Sequence, residues 1–341
     1  MVEKTFLWSM HYFRAFAIIN IVIVHLWRIP IETNEEIGIQ EIIREVLFHN
    51  STIYFIFISG FLFIYLKNKF QLDKFYINKL RFIISPYLFN IITFWIIFYY
   101  LDLLGLYSYQ SIKTNLVSSI FNGSVTPHLW YIPFITLIFL TTPIFIFKPQ
   151  ILNNKFLPVL FLLPLLGTRT GTEITIGQYI YFYPIYILGI FVAMNFKIVL
   201  IRLNKYKALL FSIVVISSII LFITYIIYQN GEISQIQNSL YYIQKLAIIG
   251  IILPSLEKIT TNSYKILDQI ASMSFAIYFI HYTLGRLQQP FLFKYLNNYI
   301  PPEFWGAMTF LFPFLIIIEC IIIIKAIKKI LGFKSKYIIG Y

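Results

Sequence analysis

Residues 208–228 read ALLFSIVVISSIILFITYIIY, and this stretch contains no charged residue. A helix needs about 20 mostly apolar residues to cross the hydrocarbon core of a bilayer, so the stretch predicts a transmembrane helix. Three basic residues, Arg202, Lys205 and Lys207, come shortly before it. Lys and Arg collect on the cytoplasmic side of membrane proteins, so this helix is predicted to begin at that side.

The whole chain shares the apolar character of this stretch. Of its 341 residues, 59% are hydrophobic and 12% are charged, whereas an average soluble domain carries about 25% charged residues. A soluble fold of this length has too little interior to bury so much apolar surface. The composition therefore excludes a soluble globular protein. The 26 tyrosines suit a membrane interface, where the ring lies in the apolar layer and the hydroxyl in water.

Further apolar segments of similar length lie on both sides of residues 208–228. In all we predict ten transmembrane helices, at 12–29, 48–66, 82–101, 129–147, 156–168, 179–196, 208–228, 239–256, 269–287 and 304–324. The fold class is therefore all-α, a polytopic membrane protein of about ten transmembrane helices. We expect a single membrane domain over residues 1–341, with no separate soluble domain.

The distribution of basic residues predicts the orientation. With the N-terminus in the cytoplasm, 20 of the 27 Lys and Arg residues fall in the segments assigned to the cytoplasmic side. Both termini are therefore predicted to be cytoplasmic. The two largest external pieces are then 30–47 and about 102–128. Residues 35–46 have helical apolar spacing, which predicts a helix lying flat on the outer surface.

Metal and nucleic-acid sites are not expected. The single cysteine, Cys320, has no partner for a disulfide or a multi-cysteine zinc site. The five histidines do not cluster in sequence as metal ligands do. The net charge of +13 follows the membrane boundaries, so it is attributed to membrane orientation and contact with lipids, not to nucleic acid.

The first predicted helix carries polar residues that are costly in lipid, and such residues are by default candidates for function. His25 follows Arg14 by eleven positions, or about three helical turns, so their side chains share one face. His11 lies close to the same face. We take His25 and Arg14 as the candidate catalytic residues. The alternative is a structural histidine that only bonds within the helix bundle.

The second predicted helix and the loop after it hold further candidates. Ser59 and Gly60 form a small pair, which by itself indicates close helix packing. Residues 67–81 then contain five basic residues and one acid. The concentration of basic residues on the cytoplasmic side explains several of them as well as a functional role does. The functional reading is a docking patch for a cytoplasmic polyanion.

Two later segments combine aromatic and polar residues. Residues 127–133 read PHLWYIP, and the Trp and Tyr there are also ordinary residues for the end of a span. The ninth predicted helix carries polar side chains on one face, at positions i, i+4, i+7 and i+8: Ser274, Tyr278, His281 and Tyr282. They either line a cavity or bridge helices. Three further charged residues receive no role: Glu319, Arg169 and Glu173.

In order and spacing, these segments resemble acyltransferase family 3 of bacterial membrane proteins. The family has a basic residue ten intervening positions before a His in the first span, as Arg14 and His25 are here. Residues 59–61 (SGF), 128–131 (HLWY) and 274–281 (SFAIYFIH) match three further family elements. The chain is most similar to the branch that makes intercellular-adhesin and other surface polysaccharides. Where many members have two Arg before a Pro, this chain has Lys79 and Arg81 before Pro86.

The resemblance implies an O-acyltransferase in the bacterial cytoplasmic membrane. It would move an acyl group, often acetyl, from cytoplasmic acyl-CoA to a hydroxyl of a surface or lipid-linked polysaccharide, with no permanently bound cofactor. His25 would be the general base, and Arg14 would hold its cavity polar or bind CoA phosphates. The remaining implied residues fall into two groups. Those for CoA are Lys74, Lys79 and Arg81, and those for substrate are Ser59, Trp130, Tyr131, Tyr278 and His281.

A second class of function stays open from the sequence. Some relatives are proposed to export a polymeric or lipid-linked sugar, and the His and Arg residues would then line a path. A transporter needs no acyl donor, so acyl transfer in vitro separates the two classes.

Overall fold

The computed structural model describes residues 7–26, 38–103, 116–152, 154–169, 174–228, 234–259, 264–296, 299 and 302–341. Within these ranges the chain is helical and contains no strand, which confirms the all-α prediction. Each of the ten predicted spans overlaps at least one helix of the described residues. The α-helices are α1 Trp8–His25, α2 Ile39–Phe48, α3 Thr52–Tyr65, α4 Leu72–Lys79, α5 Ser85–Leu103, α6 Leu116–Asn122, α7 Tyr131–Thr141, α8 Ile144–Phe147, α9 Leu157–Leu162, α10 Ile176–Met194, α11 Phe196–Lys205, α12 Lys207–Ile227, α13 Gln235–Leu256, α14 Lys265–Leu296, α15 Pro302–Leu331 and α16 Ser335–Ile338.

Six helical segments in the described ranges are long and apolar enough to cross a membrane. They are Ile39–Tyr65, Leu72–Leu103, Ile176–Met194, Lys207–Ile227, Gln235–Leu256 and Gly306–Ile338. The apolar helices Tyr131–Phe147 and Leu157–Leu166 are shorter. The helices α1 and α14 carry several charged and polar side chains. The count of ten spans and the cytoplasmic location of both termini therefore stay predictions.

The helices α3 and α10 pack with unusually close backbones. A Cβ added at Gly60 would lie 2.0 Å from the carbonyl oxygen of Tyr186, and one added at Gly189 would lie 2.2 Å from that of Phe57. Only the missing side chains of two glycines permit this approach, as in membrane helix pairs generally. The close-packing interpretation of Gly60 is therefore confirmed, and one face of α3 is fixed against α10.

The helices α1 and α14 lie side by side and build the other half of the core. The side chains of Phe13, Ala17, Ile18 and Val22 are fully buried along α1. At the C-terminal end of α1, Leu26 packs against Gly285 of α14, where a Cβ would lie 2.3 Å from a methyl carbon of Leu26. This pairing holds the polar residues of α1 against those of α14.

The short helix α2 confirms the predicted helix near residues 35–46, although 35–37 lie outside the described residues. Ile42 and Val46 are buried, whereas Ile39 and Ile43 are exposed. Arg44 is fully buried, which the apolar pattern did not predict. Its guanidinium donates to the carbonyl oxygen of Leu26 at 2.9 Å, so the end of α1 is tied to α2.

Candidate active site

Three histidines that are far apart in sequence meet in the structure. His25 ends α1, His128 lies in the turn before α7, and His281 lies on α14. Their ring centroids are 6.0 Å apart for His25 and His128, 5.8 Å for His25 and His281, and 4.8 Å for His128 and His281. We call these residues the histidine cluster. His128 and His281 are buried, whereas His25 is partly exposed.

Hydrogen bonds fix the tautomer of His281. Its Nδ1 lies 3.0 Å from the carbonyl oxygen of Ile277 and 2.9 Å from that of Tyr278. A carbonyl oxygen only accepts hydrogen bonds, so Nδ1 carries the hydrogen and Nε2 is an acceptor in the neutral ring. This Nε2 and both ring nitrogens of His128 are buried without a hydrogen-bond partner in the described part of the chain. A buried polar atom left in this way costs about 1–3 kcal/mol, so a polar ligand or water is expected beside it.

A small cavity of about 20 Å³ opens beside the histidine cluster. This volume is enough for one water molecule or a single ligand hydroxyl. The hydroxyl of Tyr278 donates to the carbonyl oxygen of His128 at 2.5 Å and so holds the turn before α7 in place. The cavity is lined by Ile21, His25, Thr52, Phe55, His128, Trp130, Tyr131, Phe275 and Tyr278.

Arg14 lies on the same helix as His25, about three turns closer to its N-terminal end, and faces α14. Its guanidinium donates to Ser274 Oγ at 2.9 Å. One turn earlier, His11 Nε2 lies 2.8 Å from Asp268 Oδ1. Arg14 lines neither the small cavity nor the large one described next. Its contacts therefore join α1 to α14, and it does not touch His25 in this arrangement.

A large cavity of about 420 Å³ lies where α3 and α4 approach α7 and α10. Its volume is in the range of small-molecule and cofactor sites. Its lining combines aromatic and aliphatic side chains with three lysines. The lining residues are Ser59, Leu62, Phe63, Leu66, Lys69, Phe70, Gln71, Lys74, Phe75, Asn78, Lys79, Phe139 and Tyr186.

Two of the three residues predicted to bind CoA line this cavity. The ammonium group of Lys79 lies 3.9 Å from the ring centroid of Phe139, in a cation–π contact. Lys74 is exposed at the rim. Arg81 is exposed and lies outside the lining. Arg81 follows Lys79 by two positions and lies within the π-helical turn Leu80–Ile84.

One face of α3 connects the two cavities. Thr52 and Phe55 line the small cavity, and Leu62 and Leu66 line the large one. Ser59 stands between them and lies 3.4 Å from the hydroxyl of Tyr131, which lines the small cavity. From residue 52 to residue 66 this face extends about 21 Å at 1.5 Å per residue. The Ser59–Tyr131 contact therefore marks the boundary between the two cavities.

The structure brings most of the predicted catalytic and substrate-binding residues together at the small cavity. His25, Trp130, Tyr131 and Tyr278 line the small cavity, and His281 lies beside it. His128 was quoted from the sequence only as part of a motif, yet it contacts both other histidines. The sequence signal that could have identified His128 is its place in the motif, directly before Leu129 and Trp130. In the described part of the chain no three His, Cys, Asp or Glu side chains are arranged to hold a metal ion.

The charged residues without a predicted role are also placed. Glu319 on α15 accepts a hydrogen bond from Gln288 of α14 at 2.5 Å. The guanidinium of Arg169 lies 5.4 Å from the ring centroid of Trp130. Glu173 lies outside the described residues.

Comparison with known proteins gives one match. A family model described as an acyltransferase domain matches residues 7–324. This range contains every helix that lines either cavity. No curated protein and no solved structure matches the chain.

Proposed function

Because this chain belongs to acyltransferase family 3 and is a membrane acyltransferase, we propose that it transfers an acyl group from cytoplasmic acyl-CoA to a sugar hydroxyl. The acyl group proposed is acetyl, and the acceptor is a surface or lipid-linked polysaccharide. The proposed location is the bacterial cytoplasmic membrane. The observation that carries the proposal is the contact between Ser59 and Tyr131, where a ligand-sized cavity meets the histidine cluster.

The large cavity suits the acyl donor. CoA is a polyanion with a long apolar arm that ends in the thioester. Lys74 and Lys79 supply positive charge to its phosphates, and the apolar lining accepts the arm. Ser59 lines this cavity and contacts Tyr131 of the small one, so a thioester extended along this face of α3 would end at the boundary between them.

The histidine cluster suits the acceptor hydroxyl. His25 removes the proton as the hydroxyl oxygen attacks the thioester carbonyl carbon. The tetrahedral intermediate then collapses, the carbon–sulfur bond breaks, and the departing thiolate takes the proton from His25. The products are an ester and CoA thiol, and no net proton is released. The buried nitrogens of His128 and His281 are polar partners for the hydroxyl in this step.

Hydrogen-bond donors are needed where negative charge develops on the thioester oxygen. The hydroxyl of Tyr131 lies at the boundary between the cavities, with Ser59 beside it. We assign it to that oxygen. Arg14 holds α1 on α14 through Ser274 and thereby keeps His25 opposite His281.

The direct test is acyl transfer by the purified full chain in lipid nanodiscs. Labelled acetyl-CoA is supplied with polysaccharide and lipid-linked sugars from the host membrane, and label in the glycan and release of CoA thiol are both measured. We expect both to depend on the acceptor. If acetyl-CoA is not consumed with any acceptor, while the same protein in sealed proteoliposomes carries labelled glycan across the membrane, the protein is a transporter and the proposal is wrong.

A further inference from the structure

A second polar site lies beyond the histidine cluster, and its centre is Arg169. The guanidinium of Arg169 lies 5.4 Å from the ring centroid of Trp130 and 6.0 Å from that of Phe182. Trp130 also lines the small cavity together with His25. The cation is therefore separated from the proposed reaction centre by one indole ring.

The side chain of Asn50 holds the guanidinium of Arg169 in place. Arg169 donates to Oδ1 of Asn50, and Nδ2 of Asn50 donates to the hydroxyl of Tyr181 at 3.1 Å. Asn50 is buried and has a φ of +59°, a left-handed conformation that costs energy for a residue other than glycine. Asparagine adopts this conformation more readily than most residues other than glycine, and its side-chain amide here orients Arg169.

The carboxylates near Arg169 already have other partners. Glu41 and Glu45 both accept from Arg44, and Glu45 also accepts from Nδ1 of His49 at 2.8 Å. A buried lysine, Lys245, donates to the carbonyl oxygen of Leu47 and to Gln244. Neither carboxylate has a hydrogen bond to Arg169 in the described part of the chain.

The only hydrogen bond of Arg169 to a described residue goes to the neutral amide of Asn50. A guanidinium has five N–H donors in a planar fork that matches a carboxylate or a phosphate. Most of these donors have no acceptor among the described residues, so the geometry of the fork suits a negatively charged ligand.

The position of the site relative to α3 indicates which ligand brings that charge. Asn50 precedes the N-terminal end of α3, whereas the large cavity lies along its C-terminal half. Arg169 is therefore at the end opposite the proposed acyl donor, next to the histidine cluster. We propose that Arg169 is an acceptor-binding residue and that the acceptor carries an anionic group, a carboxylate or a phosphate, close to the acylated hydroxyl. That the anion belongs to the acceptor rests on the proposed function, whereas the anion site itself does not.

Binding to the full chain in nanodiscs tests the site without turnover. Three probes are compared by calorimetry with CoA present in excess, so that the large cavity is occupied. They are methyl β-D-glucuronide, glucose 1-phosphate and, as the neutral match, methyl β-D-glucoside. A charge-assisted hydrogen bond predicts that at least one anionic probe binds about tenfold or more tighter than the neutral probe. The better anionic probe distinguishes a uronic acid from a sugar phosphate.

Substitutions connect that preference to the site. Arg169→Gln should bind anionic and neutral probes equally, and Arg169→Lys should keep part of the preference. Asn50→Gly accepts the positive φ but removes the amide that holds Arg169, so it should weaken the preference several-fold. The control is Arg202→Gln, an exposed residue of α11, which should bind as the wild type does.

Two results would overturn the inference. One is a wild-type protein that does not prefer either anionic probe. The other is an Arg169→Gln protein that loses affinity for all three probes to the same degree, since Arg169 would then only shape the bundle. If anion preference is intact but no acetyl-CoA is consumed, the anion site stands and the proposed acyl transfer fails.

Discussion

The hydroxyl of Ser59 lies 3.4 Å from the hydroxyl of Tyr131, at the boundary between the large and the small cavity. The two residues are 72 positions apart and belong to α3 and α7. Neither helix by itself indicates a meeting point of two substrates. In the proposed mechanism, the thioester lies at Ser59 and Tyr131 and the attacking hydroxyl lies at the histidine cluster.

Replacing Tyr131 by Phe tests this assignment. The variant keeps the ring that lines the small cavity but loses the donor to the thioester oxygen. We expect kcat to fall by about 10²-fold, as when one oxyanion donor is removed, with little change in the KM for acetyl-CoA. The matched control is Tyr183→Phe, whose hydroxyl contacts Thr141 outside both cavities. If Tyr131→Phe raises KM and leaves kcat unchanged, Tyr131 only binds the donor.

His25 is expected to be the general base. His25→Gln keeps a polar side chain but cannot accept and return a proton. We expect acyl transfer to fall by at least about 10²-fold, while the protein inserts normally and still binds acetyl-CoA. A rate near that of the wild type would show that the imidazole is structural.

His281→Gln separates hydroxyl binding from proton transfer. An amide can still present an acceptor to the hydroxyl, so the loss should be smaller than for His25→Gln and should appear mainly in the KM for the acceptor. The measurement is the full dependence of the initial rate on both substrates. An effect as large as that of His25→Gln, on kcat alone, would mean that His281 shares the base function.

Lys79, directly before the π-helical turn, and Arg81, within it, should differ in donor binding. Lys79 lines the large cavity and Arg81 does not. Because a charge-assisted contact to phosphate is worth about 1.5–3 kcal/mol, Lys79→Gln should raise the KM for acetyl-CoA about tenfold or more. Arg81→Gln is the matched control and should leave it unchanged. Equal effects of the two substitutions would mean that the loop acts only through its overall charge.

The close approach of α3 and α10 should not tolerate a methyl group. In Gly60→Ala the new Cβ would lie 2.0 Å from a backbone oxygen, so the helices must move apart. Such overpacking costs about 1–3 kcal/mol or more. We expect a lower unfolding temperature in detergent and less folded protein. Gly38→Ala, whose Cβ meets its nearest atom at 3.4 Å, is the control. Unchanged stability of Gly60→Ala would contradict the close packing.

The orientation in the membrane is also testable. Reporter fusions within 67–81 and after residue 341 should give a cytoplasmic signal, and those within 102–128 an external one. The physical reason is the concentration of Lys and Arg on one side. A cytoplasmic signal from 102–128 would contradict the ten-span arrangement.

The sequence by itself determined the kind of protein and the positions of its helices. Apolar runs such as 208–228 have one stable solution in lipid, because a helix satisfies its own backbone hydrogen bonds. Periodicity within one helix also placed Arg14 and His25 on a common face, and Ser274, Tyr278 and His281 on another. These are local properties, and they can be derived from spacing.

Only the tertiary structure decided which faces meet. It brought His128 against His281, placed Lys79 in the large cavity and Arg81 outside it, and set Arg169 on Trp130. Packing in lipid depends on shape and on a few buried hydrogen bonds, not on apolar pattern, since every face is apolar enough for the bilayer. Gly60 therefore mattered as the point where α3 approaches α10, and that contact fixes the direction of the α3 face that lines both cavities.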